Sequence, residues 1–203
     1  MSQNKTNFAV PLAFVGMMFF AIGFALGINS FLIPVLKGAL SLPSGVAYLL
    51  LAATFVPFLI FGYPASATIA KIGYKRTMAL SFLIFAVAFI LFVLSAKLEN
   101  FILFLIASFV SGAANAYLQA SVNPYITILG PIESAAKRMS IMGICNKLAW
   151  PVAPLFFALV VADQTNVQTS DLYLPFYIII GVFLLLGIIS LMAPLPEVKA
   201  AGE

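Results

Sequence analysis

The chain has 203 residues, of which 64% are hydrophobic and 8% charged, with a mean hydropathy of +1.15. A soluble domain carries roughly 25% charged residues, so this composition excludes a water-soluble globular fold and calls for spans of about 20 apolar residues. The formal charge of +4 does not describe a nucleic-acid surface, because ten cations are scattered through short segments; His is absent and Cys145 stands alone, which excludes an internal disulfide and argues against a zinc or haem site.

The first residues, MSQNKTNFAVPLAF, place only Lys5 ahead of an apolar run that continues to about Leu36. That run is too long for a signal-peptide core and is read as the first span. Hydropathy predicts six transmembrane helices over roughly 9–35, 45–69, 77–96, 101–128, 139–162 and 173–193. The short segments between them make sequential helices neighbours in one antiparallel bundle, an all-α membrane protein occupying 1–203. Lys5, Lys71, Lys75, Arg76, Lys137, Arg138 and Lys199 fall on one side of that bundle, and only Lys37 and Lys97 on the other. The positive-inside rule makes the first side cytoplasmic, with both termini inside; the membrane is expected to be the inner membrane of a bacterium.

Small residues mark where helices can approach closely. Gly16, Gly23 and Gly27 run along span one, and Ser108, Gly112 and Ala116 along span four. Tight packing is the plain reading of both rows. Pro34, Pro57, Pro64, Pro124, Pro151 and Pro154 interrupt or end helices. The last two are expected to bend or break span five just beyond Lys147, as a kink or as a hinge for gating.

Span four carries Asn115, Gln119 and Asn123 at spacings of four. Each step is roughly 400° of helical turn, so the three amides drift by only about 40° and line one face. An unsatisfied amide is costly in hydrocarbon, so this face should look into protein or water. A hexose has about five hydroxyls, each both donor and acceptor, which neutral amides can match. Trp150, Phe20, Phe24 and Tyr117 are candidates to cover the C–H side of a sugar, although packing or lipid contact is the favoured reading of any one of them.

The six acids, Glu99, Glu133, Asp163, Asp171, Glu197 and Glu203, all fall in loops or tails. Lys147 is therefore the one charge at depth, about nine residues, or roughly 13 Å, past Arg138. Its candidate neighbours are neutral: Asn29, Ser30, Gln119 and Asn146. It could donate to a sugar hydroxyl, stand where a coupling cation would otherwise sit, or pair with an acid from another bundle. Without a carboxylate pair, His or activated nucleophile beside it, an intramembrane enzyme has no support.

The runs LQASVNPYITILGP (118–131), FALGINSFLIP (24–34) and PASATIAKIGYKR (64–76) together resemble the fucose/glucose–galactose porter family of the major facilitator superfamily. The resemblance covers essentially the whole chain, as the amino-terminal six of the family's twelve helices. It implies alternating access by two six-helix halves. In the motif between helices two and three, Ala70 takes the usual Asp position, followed by Lys71, Gly73, Lys75 and Arg76. Ser30 and Gln119 occupy the positions of the acids through which fucose permease couples to protons, so that route lacks its acids here. Gln at the second position resembles the glucose/galactose branch. In helix five Gly143 replaces a Gln, Asn146 is kept, and Lys147 replaces a Ser. The resemblance implies sugar contacts from Asn29, Gln119 and Asn146. It leaves uniport, sodium symport, or proton symport through acids elsewhere, with Lys147 as the coupling candidate; no cofactor is expected. A missing carboxy-terminal half requires either a truncated chain or a natural half that pairs with a separate partner or a second copy.

Overall fold

A computed structural model describes residues 9–161, 166–193 and 195. Its helices are α1 (Ala9–Ala39), a single turn α2 (Ser44–Ala47), α3 (Leu49–Lys97), α4 (Phe101–Ile128), α5 (Ala135–Val160) and α6 (Tyr173–Met192), with 3-10 turns at Ile132–Ser134 and Thr169–Leu172. No strand occurs among the described residues. Five segments are long and apolar enough to cross a membrane.

The connection expected at 70–76 is a tight one: two helices meet at Gly73, which alone departs from helical geometry, with φ 81° and ψ 169°. Only glycine adopts that conformation without strain, so one residue suffices to turn the chain. Contacts with α4 show that α3 doubles back there. Its first arm places Phe61 against Tyr117, and Tyr74 at the elbow meets Tyr125. Its second arm then returns to set Phe92 against Phe104 at the other end of α4.

The remaining directions follow in the same way. Asn29 and Ile22 of α1 meet Ser111 and Asn115 of α4, which makes those two helices antiparallel. Gly16, Gly23 and Gly27 meet Met142, Asn146 and Trp150, so α5 runs parallel to α1. Phe85 stacks on Phe183 and Phe82 meets it tilted, while Phe89 and Phe92 meet Phe176, so α6 is antiparallel to the second arm of α3. Hydrocarbon is as apolar as Phe, so this aromatic core holds by close packing and ring geometry, about 0.5–1.5 kcal/mol per pair, more than by escape from solvent.

The small-residue rows are packing seams. A Cβ on Gly23 would collide with the Asn146 carbonyl, and one on Gly112 with the Thr54 carbonyl. Pro34, Pro57, Pro64, Pro124, Pro151 and Pro154 all lie inside helices. The expected break in span five is absent, since α5 continues unbroken from Ala135 to Val160. Each proline still lacks an N–H, so Pro151 and Pro154 leave the carbonyls of Lys147 and Trp150 without a helical donor.

Helix ends are closed by specific side chains. The Asn100 side chain accepts from the N–H groups of Ile102 and Leu103 and starts α4. At the far end of α4, Arg138 is buried: its Nε donates to the Ile126 carbonyl at 3.1 Å, and its terminal nitrogens reach the carbonyls of Thr127 and Pro131. This capping places Lys137 and Arg138 beside the Gly73 elbow with Lys71, Lys75 and Arg76. Lys37 and Lys97 close helices at the opposite end, where the Lys97 ammonium lies 5.9 Å from the rings of both Tyr173 and Tyr177. Lys5 and Lys199 lie outside the described residues.

Candidate functional site

Two asparagines hold the site to α1 from either side. Asn146 of α5 donates through Nδ2 to the Phe19 carbonyl at 3.1 Å, and Asn115 of α4 donates to the Ile22 carbonyl at 3.5 Å. Phe19 and Ile22 are one turn apart, so α4 and α5 present their amides at one depth, near the middle of α1. Gln119 lies a turn beyond Asn115, and α4 runs against α1, which brings Gln119 to the level of Phe19. Its Nε2 donates to Asn115 Oδ1 at 3.4 Å. That bond leaves Gln119 partly exposed with its carbonyl oxygen and its second N–H available. Lys147, next to Asn146, is at the same level and exposed.

The row of three amides therefore divides. Asn115 is 0% exposed and acts as the brace of Gln119, not as a surface group. Gln119 is half-open. Asn123 is partly exposed a further turn, about 6 Å, along α4 and makes no hydrogen bond among the described residues. A 40° drift per step is enough to carry the face from the α1 contact to its open margin.

Asn29 is likewise 0% exposed, about 10 Å along α1 from Ile22. It donates to the Ala25 carbonyl at 2.9 Å and to Ser111 Oγ at 3.3 Å, which joins α1 to α4, while its Oδ1 is buried without a hydrogen-bond partner among the described residues. Ser30 donates to the Leu26 carbonyl of its own helix at 3.1 Å. None of the four neutral partners expected for Lys147 bonds to it. Its ammonium instead lies 5.2 Å from the centre of the Trp150 ring, three residues on along the same face of α5. Gly143, Lys147, Pro151 and Pro154 continue that face as a stripe, with open space beside Gly143.

The aromatic candidates are mostly committed elsewhere. Phe20 and Phe24 stack on each other, and with Met17, Phe156, Ile178 and Val182 they line an apolar groove of about 260 Å³ between α1, α5 and α6. That groove lies on the far side of α1 from Asn115. Tyr117 packs on Phe61 of α3. Trp150 alone stays with the amides, and the ring face toward Lys147 is already covered by the ammonium.

Sequence reasoning missed Ser111, the partner of Asn29, and the capping role of Arg138. A basic residue just after a Leu-Gly-Pro helix stop was the available signal for the latter. No group of His, Cys, Asp and Glu able to hold a metal occurs among the described residues.

Against known proteins, residues 14–203 match the Major Facilitator Superfamily family model. A glucose/galactose transporter of Brucella abortus is 30% identical over 203 residues, covering 98% of this chain and 49% of the relative. The L-fucose-proton symporter of Escherichia coli is 23% identical over 217 residues, covering 97% and 50%. A crystal structure of the E. coli fucose:proton symporter superposes with a TM-score of 0.74 at 23% identity, over 94% of this chain and 50% of that one. A structure of the major facilitator transporter FucP in the outward conformation gives 0.79 over 97% and 52%, also at 23% identity. The chain spans about half the length of the curated relatives it matches. With nearly its full length matching the family and its helices laid out as in these carriers, the chain belongs to the major facilitator superfamily.

Proposed function

We propose that this chain is the amino-terminal half of a sugar carrier, crossing the membrane six times with both termini in the cytoplasm. A 49-residue α3 would measure about 73 Å, far more than a hydrocarbon core of about 30 Å, and its elbow at Gly73 makes it two crossings. The elbow end carries five of the eight described cations and is therefore cytoplasmic.

The observation that carries the reading is the braced, half-exposed Gln119, level with Asn146 and Lys147 near the middle of the bundle. A polar face at that depth is tolerated only against water, ligand or protein. A second six-helix bundle, supplied as a carboxy-terminal half or a second copy, would enclose it. Rocking of one bundle on the other then exposes the sugar to each side in turn. The sugar classes in the relatives' names, glucose, galactose and fucose, are the ones to test first, with sodium and proton gradients imposed separately.

The experiment is uptake of labelled glucose and galactose into proteoliposomes holding the chain with its complementary half. Saturable uptake is expected, and Gln119→Ala should remove most of it while leaving helicity unchanged. Absence of saturable uptake for any hexose would refute the carrier reading. A cysteine at Gln119 should be shielded from a thiol reagent by the sugar; labelling indifferent to every sugar would indicate a scaffold whose amide face meets protein.

A further inference from the structure

Among the described residues the site's one charge has no counter-charge. Lys147 is exposed and makes no ion pair or hydrogen bond among the described residues, and its recorded neighbour is the Trp150 ring at 5.2 Å. The described acids are all placed elsewhere. Glu99 accepts from Thr169 Oγ1 at 2.9 Å at the opposite end from the elbow, and Asp171 accepts from the Gln168 N–H at 2.9 Å. Glu133 sits in the turn before α5, about 21 Å along the chain axis from Lys147. The rest of the stripe, Gly143, Pro151 and Pro154, contributes no charge.

A neutral hexose does little for such a group. Its hydroxyls can accept from the ammonium, yet the positive charge stays uncompensated in a site that must close away from water. Gln119, by contrast, still offers an acceptor and a donor suited to hydroxyls. The groups at this depth thus ask for a ligand with hydroxyls at one end and an anion at the other.

We infer that the sugar carried by this site bears a carboxylate, as a hexuronate does, with the carboxylate on Lys147 and ring hydroxyls on Gln119. The inference rests on the carrier reading above and adds the charge of the substrate to it. The ammonium then makes a charge-assisted hydrogen bond, of a kind worth about tenfold or more in affinity over a neutral partner.

Trp150 is the chain's one tryptophan, so its fluorescence reports on this site without a label. The chain in lipid nanodiscs is titrated with potassium glucuronate, glucose and potassium acetate at constant ionic strength. Glucuronate is expected to change the emission saturably at about one-tenth the concentration glucose needs, with acetate inert over the same range. Lys147→Gln should erase the preference, so that glucuronate needs the same concentration as glucose, whereas Lys147→Arg should keep it; unchanged circular dichroism certifies both folds. Glucose binding as tightly as glucuronate, or a preference indifferent to Lys147→Gln, overturns the inference and leaves the sugar site standing. An acetate response equal to that of glucuronate makes Lys147 a general anion site and overturns it too. Silence from both sugars overturns the site reading and this inference together.

Discussion

Gly27→Ala is the sharpest test of the seam that holds α5 on α1. A Cβ there would lie 2.7 Å from the Trp150 carbonyl oxygen and 2.9 Å from the Ala153 Cβ. Comfortable contact begins near 3.5 Å, so α5 must retreat by about 0.7 Å, enough to forfeit a quarter or more of the dispersion energy along the seam. Overpacking of this size costs about 1–3 kcal/mol, against which alanine returns about 0.5–1 kcal/mol of helix propensity. The net expectation is a loss of about 1–2 kcal/mol, together with reduced uptake, because the retreat moves Lys147 and Trp150 away from Gln119. Gly143→Ala is the matched control. Nothing lies within 4 Å of its added Cβ, so only the propensity gain remains and stability should rise slightly. Denaturant titration of the purified chain, followed through Trp150 emission and helicity, reads both. Equal shifts of the same sign in the two variants would refute the seam.

Three further expectations concern the frame around the site. Asn115→Leu removes both the donor to Ile22 and the acceptor for Gln119, and should cost about 1–2 kcal/mol while weakening sugar binding through a freed Gln119; calorimetric binding equal to wild type would remove its bracing role. Arg138→Gln should uncap α4, lowering stability by about 2–3 kcal/mol and speeding amide exchange over 125–128, whereas unchanged exchange there would contradict the cap. Gly73→Ala must hold a side chain at φ 81° and should lose about 1–2 kcal/mol in the same titration; an undiminished midpoint would mean the elbow is not where the chain turns.

Much of this protein is legible in its sequence. Composition demands a membrane, and the runs of apolar residues locate the helices to within a few positions, because bilayer thickness sets a length that unsatisfied backbone groups cannot evade. Local spacing is equally reliable. Gly23 and Gly27, or Lys147 and Trp150, share a face whatever surrounds them, since four or three residues return to the same side of a helix. What spacing cannot supply is the neighbour that covers each face. Asn115 and Gln119 read alike, yet one is sealed under α1 and the other opens beside it, a difference of about 40° that only the position of α1 resolves. Asn29 joins two helices through its N–H, because Ser111, 82 residues away, meets it. Phe20 and Phe24 line a groove against α6, and Arg138 caps α4. The outcomes at Asn115 and Asn29 hang on contacts between segments 93 and 82 residues apart, and sequence periodicity carries no record of which helix will stand next to which.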